Sequence, residues 1–227
     1  MRKDWALVAT GFVLLAIGHG LGLFFVPPEA MMGETGRIFY VHVPTAWNCL
    51  VMFLIAFVCA VMVLWSGHPK WDARTTGYVE VGTLYNVMLL FQGSIWARPT
   101  WGVYWTWDPR LTTAAVMAVT FAGVMVLRKL IEDPERRATA HAVATVVAFV
   151  NVPVVYMSVK WWRTLHQDMS SPSTVDSVMH WPLRTAAIGM LLLGVGFAMV
   201  RAELERRRIA IEDEAPELPP VPNPLEV

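Results

Sequence analysis

Charge is scarce in this sequence. Of 227 residues, 16% are Asp, Glu, Lys or Arg, against 56% hydrophobic. That balance excludes an ordinary soluble domain and reads as an integral membrane protein. Net charge is also absent: eighteen basic and eighteen acidic residues cancel, so nothing favours nucleic acid as a partner. Cysteine is nearly missing. Cys49 and Cys59 lie in one apolar run, ten residues apart and off a common helix face, which excludes a disulfide framework and reads as two small core residues. There is no Gly-rich phosphate loop, so any nucleotide dependence must come from partners. No internal repeat is present.

Apolar runs are what the chain has. Trp5–Val26 is about the 20 residues that cross a bilayer. It ends in Phe24-Phe25-Val26-Pro27-Pro28 rather than in small residues, so it reads as a true span and not a cleaved signal. Further spans are expected at about Pro44–Trp65, Tyr78–Trp96, Leu111–Leu127, Ala138–Val159 and Pro182–Val200. Asn151-Val-Pro153 is expected to kink the fifth. Arg128–Arg137 reads as a hydrophilic loop. The expected architecture is an all-α membrane domain of six transmembrane helices, residues 1–200, followed by a tail at 201–227. The tail begins as a charged helix and ends Pro-rich and acidic. Six spans place both termini on one side. That side holds twelve Lys and Arg residues, against six on the other. Both termini are therefore expected to be cytoplasmic.

The outer side then receives an aromatic concentration. Residues 96–112 hold four tryptophans and a tyrosine within seventeen positions, with Pro99 and Pro109 breaking the stretch and Gly102 loosening it. Trp and Tyr commonly anchor at membrane surfaces. Here, however, seven of the eleven tryptophans (Trp96, Trp101, Trp105, Trp107, Trp161, Trp162 and Trp181) fall on one side. Trp101, Trp105, Trp107 and Asp108 are too closely spaced for one helix face. Together they suggest a flat apolar surface carrying a carboxylate, suited to a large planar ligand. His42 and His166 stand at the mouths of the two other outer loops. Two imidazoles flanking an aromatic shelf suit haem, whose iron takes two axial nitrogens. Two histidines alone leave the coordination shell of a bare transition metal mostly empty. Arg37 and Arg110 are available for the propionates, although arginines at span ends often only snorkel.

The other polar residues have plainer readings. His180 is a reserve axial candidate. His19 and His141 read as hydrogen-bonded packing histidines, and His68 as solvated. Glu80, Asn86 and Gln92 make the third span polar and read as interhelical hydrogen bonders. Three rivals are a permease subunit for haem, an electron-relaying membrane cytochrome b, and a structural subunit with aromatic anchors. The first needs ionisable groups at mid-membrane. The second needs histidine pairs across helices inside the bilayer. There is no Cys-x-x-Cys-His for covalent haem attachment to this chain.

Trp101-Gly-Val-Tyr-Trp-Thr-Trp-Asp-Pro-Arg-Leu-Thr112 resembles the tryptophan-rich WWD signature of haem-handling membrane proteins. Within that superfamily the chain is similar to the CcmC family of cytochrome c maturation proteins. The likeness extends to Val41-His-Val-Pro-Thr-Ala-Trp47, Asn151-Val-Pro-Val-Val155 and Lys160-Trp-Trp-Arg-Thr-Leu-His-Gln167. Tyr104 departs from the pattern, where another tryptophan is frequent, but keeps an aromatic face. CcmF and CcsA types share the motif on larger chains with more spans.

The resemblance implies non-covalent haem b on the periplasmic face of a bacterial inner membrane, presented to the chaperone CcmE for covalent attachment. It implies CcmD and the CcmA–CcmB ATPase as further partners. It carries His42 and His166 over as the iron ligands. Trp101, Gly102, Trp105, Trp107 and Asp108 become the haem-binding motif, and Arg37 and Arg110 positions associated with it. No catalytic residue is assigned; the role implied is presentation.

Overall fold

The computed structural model describes residues 2–29, 31–167 and 175–214. Its regular structure there is helical: α1 (Arg2–Gly20), α2 (Phe39–Ser66), α3 (Pro69–Trp101), α4 (Pro109–Leu130), α5 (Pro134–Phe149), α6 (Asn151–Trp161) and α7 (His180–Glu214). A π turn at Leu21–Phe25 extends α1, and 3-10 turns precede α2 and α7. Helix starts follow from local chemistry. His68-Pro69, Asp108-Pro109 and Asp133-Pro134 each set a capping side chain before a proline at the first helical position, where the missing N–H costs nothing.

The fifth expected span bends where its proline predicts. The helix breaks at Val150, α6 resumes at Asn151, and Asn151 Nδ2 donates to the Thr113 carbonyl at 3.0 Å. Pro44 does not begin the second span, as the sequence suggests. It lies inside α2, so His42 rides on the helix's first turn and not in a loop. Cys49 and Cys59 are free and buried, as expected.

Among the described residues, five segments are long and apolar enough to cross a membrane: Arg2–Phe25, Glu34–Ser66, Pro109–Leu130, Pro134–Trp161 and Ser177–Glu212. Helix α3 has the length, 33 residues, but more polar side chains. It can carry them because it packs on α2, α4 and α7. Its polar groups pair outward to those neighbours. Glu80 meets Arg201 of α7, Asn86 Nδ2 donates to Ala114 O of α4, and Gln92 Nε2 to Thr45 Oγ1 of α2. Tyr85 hydroxyl donates to Met190 O at 2.9 Å. Interhelical bonds of this kind do what water-driven collapse cannot do inside lipid. Between them lies an apolar core in which Phe53 and Phe121 stack.

Helix α1 packs chiefly on α7, and glycine permits the contact. A β-carbon at Gly189 would stand 2.4 Å from Leu15 N, and one at Gly11 2.5 Å from Leu193 N. Both obstacles are backbone, so the helices would have to part. Gly189→Val is expected to cost about 1–3 kcal/mol, read as a lower melting temperature in detergent. Gly123→Ala, where nothing lies within 4 Å, should not lower it; equal melting of both variants would show that the close approach is unimportant.

At the end of the bundle away from the tryptophan segment, charges turn inward. Arg128 grips Asp72 through both terminal nitrogens (2.7 and 2.8 Å) and Glu205 at 2.9 Å. His141 Nδ1 lies 3.3 Å from Arg128 and 3.6 Å from Asp72. Arg201 bridges Glu80 and Glu205. This corrects the reading of Arg128–Arg137 as a hydrophilic loop: Arg128 and Arg137 are both 6% exposed, because α4 and α5 aim them at carboxylates on α3 and α7. It also supplies ionisable groups inside the bundle that the sequence did not disclose. Helix α7 runs unbroken past residue 200, and Glu205 and Ile209 are buried, so the tail's first part belongs to the bundle. The Pro-rich stretch 215–227 lies outside the described residues.

Candidate functional site

The tryptophan segment divides into a helix end, a turn and a new helix. Pro99 does not break it, contrary to expectation. Pro99 sits in the last turn of α3, where one backbone bond is lost and the Thr100 hydroxyl bonds back to Trp96 O at 2.8 Å. The stop is Gly102, in the left-handed region at φ +79°, whose N–H donates to Arg98 O. Only glycine takes that conformation without strain. Residues 103–108 then run irregularly until Asp108 caps α4.

Beside this segment lies a cavity of about 670 Å³, in the range of small-molecule sites. Helix α2 contributes His42 and Trp47, and α3 contributes Gly93, Trp96 and Trp101. Trp105 and Arg110 come from the following segment, Leu165, His166 and Gln167 from the loop after α6, and Met31 and Met32 from the loop before α2. The two histidines, distant in sequence, face each other across it. Their ring centroids are 6.4 Å apart and their planes differ by 36°. A metal–imidazole nitrogen bond is about 2 Å, so this spacing admits one metal ion held from both sides.

The rings are held in place. His42 is 8% exposed and meets the Trp96 ring edge-on, with centroids 5.4 Å apart. Gly93 leaves room for it; a β-carbon there would lie 3.2 Å from His42 Cε1. His166 Nδ1 lies 2.8 Å from the Gln167 carbonyl. A carbonyl only accepts, so Nδ1 donates and Nε2 keeps its lone pair for a metal. Burial holds the His166 imidazole below its ordinary value, outweighing the Gln167 contact that works against it. Two buried polar atoms of the wall, His42 Nδ1 and Trp96 Nε1, have no hydrogen-bond partner among the described residues. Such orphans call for a bound group. The donor set and the aromatic wall fit haem. Among the described residues no three His, Cys, Asp or Glu side chains gather as a bare-metal site.

Of the residues the sequence singles out, His42, His166, Trp101, Trp105 and Arg110 line the cavity. Arg110 also donates to the Val155 carbonyl. Four others stand elsewhere. Gly102 makes the turn. Trp107 is 81% exposed and touches Trp105 edge-on. Arg37 donates to the carbonyls of Gly22 (3.2 Å) and Val26 (2.8 Å) and pairs with Glu34, tying the π turn to the approach to α2.

Asp108 is buried, and its carboxylate accepts from the Thr164 hydroxyl (2.7 and 2.8 Å), Leu165 N–H (2.7 Å) and Arg110 N–H (2.9 Å). Burial alone would raise this carboxyl. The Thr164 and backbone N–H bonds outweigh it and hold it below the usual range.

The sequence reading missed Trp96 as a wall residue, Gly93 as its spacer and Thr164 as a contact of Asp108. Gly93, one turn before Trp96 and Ala97, was the available signal. His180 stands at the start of α7 with Nε2 3.0 Å from Val175 O, away from the cavity wall. His19 Nε2 is buried without a partner among the described residues, so it is not the hydrogen-bonded residue expected.

Residues 2–215 match the family model described as CcmC, Heme exporter protein C. The chain belongs to the CcmC family. It is 36% identical over 211 residues to Heme exporter protein C of Bradyrhizobium diazoefficiens, covering 90% of this chain and 80% of that one. It is 30% identical over 211 residues to the Escherichia coli K12 protein of the same name, covering 90% and 85%. A putative cytochrome c biosynthesis ccmC-like mitochondrial protein of Marchantia polymorpha is 30% identical over 168 residues, covering 73% and 71%. With its apolar helices and these bacterial relatives, this CcmC-family chain is a multi-pass membrane protein.

Proposed function

We propose that this protein holds haem b non-covalently on the periplasmic face of a bacterial inner membrane and presents it to the chaperone CcmE. His42 and His166 supply the two axial nitrogens. The reading rests on one observation above the others: histidines from α2 and from the loop after α6 meet 6.4 Å apart over a tryptophan-walled cavity. Haem is cargo here, and its iron supplies the reactivity. The residues of the chain bind, orient and shield. Trp96, Trp101 and Trp105 wall the ring, and Arg110 faces the cavity as a cation for a propionate. Trp107 and Tyr104, both largely exposed, border the site where a chaperone would approach. The chain positions haem, and the reactivity needed for attachment to CcmE resides in the haem. CcmD and the CcmA–CcmB ATPase are its expected partners beside membrane lipid.

With six spans, the twelve-to-six split of Lys and Arg favours both termini cytoplasmic. The cytochrome b alternative loses ground, because His141 is engaged with Asp72 and Arg128.

Detergent-purified protein, from cells with raised haem synthesis, is expected to carry extractable haem with a low-spin, two-nitrogen absorption spectrum. A preparation that stays haem-free under those conditions overturns the reading and returns the tryptophans to membrane anchoring.

A further inference from the structure

Asp108 lies in the signature stretch, yet it is not among the residues that line the cavity. It is occupied on three sides: by the Thr164 hydroxyl, by Leu165 N–H and by the N–H of Arg110. Two of those donors belong to the loop that carries His166, and Thr164 Oγ1 in turn accepts from His166 N–H at 3.0 Å. A chain of bonds therefore runs from the first turn of α4, through one carboxylate and one hydroxyl, to the backbone of His166. Among the described residues, the other recorded anchors of this loop are a bond from Trp162 N–H to Ser158 O at its start and a long contact of 3.6 Å from Gln167 Nε2 to Met32 Sδ.

We infer that Asp108 is a positioning residue: it fixes the loop that holds His166 opposite His42, and acts on haem only through that loop. The inference rests on the bis-histidine reading above. The chemistry favours a carboxylate. An ionised acid accepts several hydrogen bonds at once and makes them stronger than a neutral acceptor does. Asparagine would preserve the helix cap, since Asn and Asp cap equally well. It would offer one acceptor oxygen in place of two and turn an NH₂ toward two donors. Asp108→Asn therefore separates the loop anchor from the start of α4. Thr164→Val removes the hydroxyl at nearly constant shape, and Thr164→Ser keeps it.

Two readouts test this. The first uses haem-free protein and hydrogen–deuterium exchange over residues 162–167. Asp108→Asn and Thr164→Val are expected to exchange roughly tenfold faster or more there, as loss of a charge-assisted bond implies, with α4 unchanged and Thr164→Ser like wild type. Unchanged exchange in Asp108→Asn overturns the anchor whatever haem does. The second is the spectrum of the haem-loaded protein. Asp108→Asn and Thr164→Val are expected to turn high-spin like His166→Ala, to keep bound haem, and to return to low-spin on addition of imidazole. If Asp108→Asn loses haem that His166→Ala retains, Asp108 touches the cargo or the fold, and the positioning role is overturned. If His166→Ala itself keeps the wild-type spectrum, the bis-histidine reading fails, and the exchange result then stands as a statement about the loop alone.

Discussion

Alanine at His42 is expected to strip haem from the purified protein, and alanine at His166 to leave a smaller, high-spin fraction. Both remove an axial nitrogen, but they come from unequal settings. His42 is fixed on the first turn of α2, buried, boxed by Trp96 and spaced by Gly93. His166 sits half-buried on a loop. Partners one shell beyond a metal ligand are typically worth about 10–100-fold in affinity, and loss of the ligand itself should exceed that. The cavity opened at His42 is closed on two sides by protein, so water reaches the iron less readily there than at the loop. The measurement is the haem-to-protein ratio and the absorption spectrum of each variant, followed by titration of the haem-free protein and rescue with added imidazole. Wild-type spectra in both variants would move the ligands elsewhere and sink the site.

Arg128→Ala should be the most damaging substitution to the fold, at about 3–5 kcal/mol. The side chain is not at the cavity. Its removal leaves the Asp72 carboxylate, 4% exposed, without its bidentate partner. Glu205 keeps Arg201, so the loss falls mainly on Asp72. A buried charge stripped of its counterion costs far more than the intact pair contributes. For that reason Arg128→Met combined with Asp72→Asn should recover much of the loss. The check is thermal unfolding in detergent of the single and double variants. A drop within 0–1 kcal/mol, as for an exposed pair, would show that water reaches the cluster. The haem spectrum of surviving protein should be unchanged, because the network and the cavity lie at opposite ends of the bundle.

Much of this architecture was legible in the order of residues. The break at Pro109 follows from backbone chemistry that is local, whereas the third span, read as Tyr78–Trp96, falls short of the helix that runs from Pro69 to Trp101. The kink at Asn151-Val-Pro153 and the interhelical roles of Glu80, Asn86 and Gln92 needed only the premise that polar groups inside lipid seek partners. His42 and His166 could be paired because few histidines stood near the aromatic segment. What escaped was set by neighbours far along the chain. Arg128 looks like a loop residue until Asp72 and Glu205, 56 and 77 positions away, are brought to it. Asp108 sits in a motif that invites a ligand contact, and its donors arrive from residues 164 and 165. Pro99 and Pro44 mislead for one reason: each removes a single backbone bond, and its helix runs on through it.

One feature of the packing reaches back to synthesis. Helix α1 rests chiefly on α7, and Glu80 of α3 waits for Arg201 of the same helix. Of the helices described, the earliest in the chain therefore has its main neighbour in the latest. Until that last span arrives, the glycine face of α1 and the acidic side chain of α3 stand open to lipid or to whatever factor attends insertion. A chain interrupted before α7 would leave both faces unmet at once.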